Sequence, residues 1–359
     1  MYLNYRMIYD YIIVGQGIAG SVLGYTLIKK GLKILIVDGG SNNSSKVAAG
    51  IFNPITGKRM VKTWKAELLF PFLNEFYPGM EKDLDANFFH PLPIFRPFGS
   101  IEEQNHWVSH SDEAYNKFSR VVTSSDDFPI NKNKHFGGLS LFKGGYVDTV
   151  TLLSAAFKYF EQRESIISER FNCSDLVFEN EGVTWGNYKA RKVIFAEGFL
   201  NQFNPYFNWI PYIPVKGEVL TLKSQFPLKQ IISKGVFVVP LHNGNLKAGS
   251  TYDWKDLTDE VTQKAREEIE HKLKELVSFD FEYVRQEAGI RPSTSDRRPI
   301  LGLHPKYPEL AIFNGLGTKG ISLAPYFAEQ LFSFLEENKP LDNEVNISRF
   351  ESFFYRHIG

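Results

Sequence analysis

Cysteine is nearly absent: Cys173 is the only one in 359 residues, so no intramolecular disulfide and no thiolate metal cage can form, and a reducing compartment is expected. Long apolar runs are missing too. No stretch approaches the roughly 18 apolar residues of a membrane span, and the opening MYLNYRMIYD has no apolar block of signal-peptide length, which predicts a cytoplasmic protein with no membrane partner. Net charge is zero, with 41 Lys+Arg against 41 Asp+Glu. That removes a global pull on nucleic acid or anionic lipid and leaves only local basic patches. Glycine (28) and proline (18) sit near ordinary usage, excluding collagen-like and low-complexity chains, and no internal repeat is found.

Several active-site signatures are also missing. There is no G-x-S-x-G elbow of a serine hydrolase. The GKR at Gly57–Arg59 has neither the glycine spacing nor the Ser/Thr of a P-loop. HWVSH, His106 to His110, lacks the glutamate of a zinc-protease helix and reads as a solvated helix face, so no metal site is expected. Cys173, in the turn-like FNCSD, reads as structural or surface. What the chain does have is aromatic mass, 31 Phe, 17 Tyr and 5 Trp, which suggests a large core and a hydrophobic cavity. At roughly 150 residues per domain, the length allows one large or two medium domains.

The opening is the most ordered part of the pattern. Tyr9–Val14 is a continuous apolar run, Gly15-Gln16-Gly17-Ile18-Ala19-Gly20 follows it, Ser21–Lys30 reads as a helix, and Lys33–Val37 is a second buried strand closed by Asp38. In a dinucleotide site Gly15 makes the tight turn, Gly17 lets backbone approach a pyrophosphate, and Gly20 lets helix and strand pack closely. Ile18 and Ala19 open the helix whose N–H groups face the anion. Asp38 lies 18 residues beyond Gly20, where a carboxylate accepts both ribose hydroxyls and repels a 2′-phosphate, favouring FAD or NAD over NADP.

Further along, Ser41–Lys65 reads as loop, Ala66–Phe76 as a helix, and Phe88–Phe142 as short strands with a polar stretch. Val147–Gln162 reads as a helix capped by Asp148, Lys192–Ala196 as a buried strand ending at Gly198, and Lys216–Lys223 and Gly235–Pro240 as sheet strands. Thr258–Val277 puts Val261, Ala265, Ile269, Leu273 and Leu276 on one helical face. Ile321–Leu335 reads as the final helix.

Two C-terminal blocks, GIRPSTSDRRPILG (Gly289–Gly302) and FNGLGTKGISLAP (Phe313–Pro325), join the glycine fingerprint and the segments KVAAGIFNP, YVDTVTLL, KVIFAEG, VKGEVLTL and FVVPLHNGNLKAGST. With these motifs in order, nearly the whole chain resembles the FAD-dependent D-amino-acid oxidase superfamily in its glycine oxidase and sarcosine oxidase branch. It resembles even more closely the C-terminal oxidoreductase half of the bifunctional tRNA methylaminomethyl-uridine enzyme.

The resemblance implies an α/β protein with a discontinuous Rossmann-like FAD-binding domain (1–80, 143–212, 288–359) and a second, mixed-sheet substrate domain (81–142, 213–287). It implies noncovalent FAD, with Gly198 and the backbone of Gly317, Thr318, Lys319, Gly320 and Ile321 joining the cofactor site. It gives Arg291 the substrate carboxylate, which a guanidinium binds through two parallel hydrogen bonds; the other reading is an arginine that pins its loop. Lys319 either adds positive charge beside the flavin or is a solvated loop lysine. Two departures from the family pattern, Phe237 where glycine oxidases have tyrosine and Thr318-Lys319 where an arginine is common, argue against free glycine as substrate. The expected reaction is oxidation of the C–N bond of a small amino acid or N-substituted glycine. A carboxymethylaminomethyl-uridine of tRNA, met by Lys58, Arg59, Lys62 and Lys65, is the alternative, and an electron-transfer flavoprotein is the third reading.

Overall fold

The apolar run at the start of the chain becomes the strand Met7–Val14 at the centre of an eight-stranded mixed sheet, buried on both faces from Tyr11 to Val14. A computed structural model describes residues 7–40, 44–57, 60–109, 113–124 and 127–358. The central strand pairs in parallel with Ile34–Val37 on one side and Tyr188–Phe195 on the other. Tyr188–Phe195 in turn pairs in parallel with Leu310–Asn314 and antiparallel with Gly182–Trp185. Parallel strands buried on both faces need apolar residues at every position, and YIIV and ILIV supply them.

One face of this sheet carries the helices Ile18–Lys29, Ala66–Leu84, Thr149–Glu161 and Gly320–Glu337, with Tyr11, Val22, Leu73, Phe160 and Phe327 in one continuous core. The other face is closed by Phe207, Trp209, Phe350 and Phe354. Asp148 caps Thr149–Glu161 as expected, its carboxylate accepting from the N–H groups of Val150 and Thr151.

A second eight-stranded sheet runs in the order Glu282–Arg291, Val215–Lys223, Leu246–Gly249, Val236–Pro240, Ile231–Lys234, Ile94–Pro97, Gly138–Leu141, Ser119–Val122. The helix Gln263–Leu276 covers it with Ile269 and Leu273 against Leu220, Leu222 and Ile232.

Five expectations are corrected. The loop-like 41–65 holds a short helix, Ser44–Val47, and three two-residue strands. The aromatic helix runs to Leu84 through Pro71 and Pro78, because burial of Leu73, Tyr77 and Met80 outweighs the backbone bonds that proline removes. The helix expected from Thr258 starts at Gln263, since Thr262 is its cap and accepts from the N–H of Ala265; Val261 lies before it, exposed. The helix ending at Glu337 is not the last, for Glu351–Ile358 follows and seats Phe354 against Trp209. The polar stretch after Ser100 is also helical, Ile101–Ser109, through burial of Trp107; His110 lies outside the described residues. Among the described residues no helix is long and apolar enough to cross a membrane.

Candidate cofactor and substrate site

The glycine fingerprint divides into packing and ligand-facing positions. Gly15 sits at φ 102°, and a Cβ there would lie 2.7 Å from the Ala196 carbonyl oxygen. A Cβ on Gly20 would lie 1.8 Å from the Gly15 carbonyl oxygen, so Gly20 serves the helix–strand contact. Gly17 differs: its φ of −75° suits any residue, and a Cβ would meet only the Ser45 hydroxyl, at 3.1 Å. Gly17, Ile18 and Ala19 line a cavity of 1770 Å³, onto which the N-terminus of Ile18–Lys29 opens. The Ile18 N–H donates to Ser45 Oγ. Asp38 closes its strand at the same wall, one carboxylate oxygen accepting from the Gln16 N–H (2.8 Å) and the other from the Gly40 N–H (2.7 Å). Each oxygen keeps a second lone pair for a hydroxyl.

Cys173 also lines this cavity, beside Phe171 and Glu197, rather than lying on the open surface. Burial, with Glu197 nearby, pushes its thiol up to about 12, so it stays protonated and a poor nucleophile. Burial likewise pushes Glu197 up to about 7, opposed by the Asn204 amide that donates to it. Glu197 was not singled out in the sequence; its signal was a lone acid between the apolar strand and Gly198 in KVIFAEG.

Gly198 and the C-terminal glycine turn meet through Asn314, whose amide donates to the Gly198 carbonyl (2.9 Å) and to Asn201 Oδ1 (2.8 Å). Gly317, Thr318, Lys319, Gly320 and Ile321 line the cavity, and the helix Gly320–Glu337 opens on it with no side-chain cap. Lys319 is not a solvated loop lysine. Its Nζ donates to the hydroxyls of Thr56 (3.2 Å) and Thr63 (3.3 Å). Burial, then the charges of Arg298 and Arg297, push its pKa down to about 8.

Arg291 ends the strand Glu282–Arg291, opposite Val215, and lines the same cavity. Its guanidinium donates to Ser250 Oγ (2.7 Å) and to the carbonyls of Thr251 and Lys216 (3.3–3.4 Å), and lies 4.5 Å from the Tyr252 ring centroid. The space it fills exists because residue 217 is glycine: a Cβ there would stand 2.0 Å from Arg291 Nη2. Burial dominates its electrostatics and depresses its pKa, with no carboxylate among the causes, although a guanidinium keeps its charge regardless. Phe237 also faces the cavity.

The neutral chain sorts its charge. Lys62, Arg96, Arg170, Arg291, Arg297, Arg298 and Lys319 line the cavity, against only Asp38 and Glu197 among the described acids. The basic run expected to meet phosphate fares less well: Lys62 pairs with Glu67 (2.5 Å) and Lys65 with Asp342 (2.7 Å), while Lys58 and Arg59 lie outside the described residues.

This donor set fits FAD. Two helix N-termini, one with only its first N–H taken by the Ser45 hydroxyl and the other without a side-chain cap, a position where a Cβ would intrude, and a carboxylate at a strand end all face one space. That space exceeds the roughly 300–1,000 Å³ of a pocket for one small ligand, leaving room for a substrate beside the cofactor.

Such a fold and cavity define a dinucleotide-binding α/β protein. The family described as DAO, FAD dependent oxidoreductase, matches residues 10–333, and the chain belongs to it: it is an FAD-dependent oxidoreductase. The chain is similar to glycine oxidase of Pseudomonas aeruginosa, 26% identical over 92% of this chain and 95% of that one. It is also similar to the tRNA 5-methylaminomethyl-2-thiouridine biosynthesis bifunctional protein MnmC of Campylobacter jejuni, 26% identical over 81% of this chain but spanning 45% of that protein. In structure it resembles glycine oxidase from Bacillus cereus (TM-score 0.80, 20% identity, 93% and 99% of the two chains). Iminodiacetate oxidase from Chelativorans sp. has the same fold (TM-score 0.77, 17% identity, 93% and 98%).

Proposed function

We propose that the protein oxidises the C–N bond of a small amino acid or N-substituted glycine. The observation that carries this reading is Arg291, a buried cation that lines the same cavity as the glycine fingerprint and has no acidic partner among the described residues. Gly15, Gly17, Ile18, Ala19, Asp38 and Gly198 would hold the adenosine and pyrophosphate of FAD, and the turn Gly317–Ile321 its pyrimidine edge. Gly20 contributes by packing alone. Bound FAD supplies the two-electron acceptor for the amine. Arg291 fixes the carboxylate and so orients the Cα–H and nitrogen. The substrate loses two electrons and two protons and becomes an imine, which water hydrolyses to the free amine and a carbonyl acid. The division into a FAD-binding domain (1–80, 143–212, 288–359) and a substrate domain (81–142, 213–287) belongs to this proposal. It is supported by the two sheets, although the strand Glu282–Arg291 crosses the 287/288 boundary.

A screen of flavin reduction with glycine, sarcosine, larger N-substituted glycines, proline and D-amino acids tests the reading; absence of reduction by any of them sinks it. The cationic cavity supports a second reading, a carboxymethylaminomethyl-uridine of tRNA. Reduction by tRNA alone, collapsing as salt rises, would select it.

FAD is expected to be noncovalent, since the one thiol lining the cavity is held protonated. Acid precipitation should leave the yellow colour in the supernatant; a yellow pellet contradicts this. Lys319 carries its proton below about pH 8 and loses it above. A cation beside the pyrimidine stabilises the negative charge that grows there on reduction. The rate of flavin reduction should therefore fall as pH rises through about 8, and in Lys319→Met that alkaline limb should vanish. An unchanged limb in the variant would assign it to another group.

A further inference from the structure

Three large aromatic side chains at this cavity are left in the open, Phe203 and the close pair Tyr252 and Trp254. Tyr252 and Trp254 are 56% and 60% exposed, whereas Trp107, Trp185 and Trp209 are each under 9%. Both line the cavity, and their rings stack at 6.2 Å between centroids, 27° apart. The segment bearing them is held firmly. Asp253 and Lys216 exchange both backbone hydrogen bonds, Asp253 Oδ1 accepts from the N–H groups of Lys255 and Asp256, and buried Lys216 pairs with Asp256 at 2.5 Å. The rings are thus presented at little entropic cost. Tyr252 also touches the Arg291 guanidinium, so the pair begins where a substrate carboxylate would be bound.

We propose that Tyr252 and Trp254 form a subsite for a flat conjugated ring carried on the substrate's amine nitrogen. The inference rests on the proposed amine oxidation with Arg291 as carboxylate anchor. From that anchor the nitrogen is two bonds further along the substrate, and a ring joined to it through one carbon comes within reach of the aromatic pair. Glycine itself has nothing to lay on these faces. The ring belongs either to a small N-arylmethyl glycine or to a pyrimidine nucleoside, since every such ring has a π-face.

Binding is measured calorimetrically under exclusion of oxygen on FAD-loaded protein reduced beforehand with dithionite, which then cannot turn over, using N-benzylglycine and sarcosine. The parent should bind N-benzylglycine about tenfold more tightly, and Trp254→Leu and Tyr252→Leu should bring that ratio toward one. Both side chains are exposed, so melting temperature and FAD content should hold. Equal affinities in the parent, or a ratio retained in the variants, overturn the subsite, while flavin reduction by sarcosine would still uphold the oxidase reading. A ring preference on an enzyme whose oxidised flavin no N-substituted glycine reduces keeps the subsite and removes the reaction. The tighter of the free carboxymethylaminomethyl-uridine nucleoside and the same residue in tRNA identifies the ring's source.

Discussion

Arg291→Met is expected to leave FAD bound and to lower kcat/KM for the true substrate by about a hundredfold or more. A charge-assisted carboxylate contact is worth roughly 1.5–3 kcal/mol, and a misoriented Cα–H adds to that. Because the guanidinium also holds Ser250 and the Thr251 carbonyl, a simple truncation mixes substrate binding with loop support. Gly217→Ala is a second test, of position rather than of charge. It keeps the arginine and its charge, but its Cβ would stand 2.0 Å from Nη2 and force the group to move. If positioned charge is what matters, both variants should lose turnover while their flavin spectra and melting temperatures stay close to the parent. Flavin reduction at the parental rate in both would make Arg291 a structural residue and remove the main support for a carboxylate substrate.

The second large effect is a split within the fingerprint. Gly17→Val should leave the apoprotein folded and weaken FAD by about two orders of magnitude, because φ −75° accommodates valine and only the rotatable Ser45 hydroxyl is crowded. The added methyls would fill the approach to the helix N-terminus. Gly20→Val should destabilise the apoprotein itself, by about 1–3 kcal/mol or more, since its Cβ would lie 1.8 Å from a backbone oxygen that cannot swing aside. Thermal melts of the apoproteins and FAD titrations check both. Parental FAD affinity in Gly17→Val, or a parental melting temperature in Gly20→Val, would break the assignment.

Local physics made much of the molecule legible. The strand, glycine turn, helix and second strand at the N-terminus follow from apolar runs and a positive-φ turn, all within some thirty residues, and the Asp148 cap is a contact over two and three residues. Where reading failed, a distant partner had overridden the local pattern. The helix through Pro71 and Pro78 persists because its far half is needed in the core, and the last helix is set by a tryptophan some 145 residues upstream.

The site divides along the same line. A dinucleotide fingerprint with an acid at the second strand end can be read without the fold, because those groups act through backbone geometry encoded within a few residues. Arg291 was identified only by resemblance, and its setting among Gly217, Ser250 and Tyr252 depends on the register between Val215–Lys223 and Glu282–Arg291. Lys319 was open to opposite readings until Thr56 and Thr63, more than 250 residues away, were seen to hold it. That a chain of zero net charge turns a cationic surface toward its cavity emerges from the fold, because charge counts add along a chain whereas fields add in space.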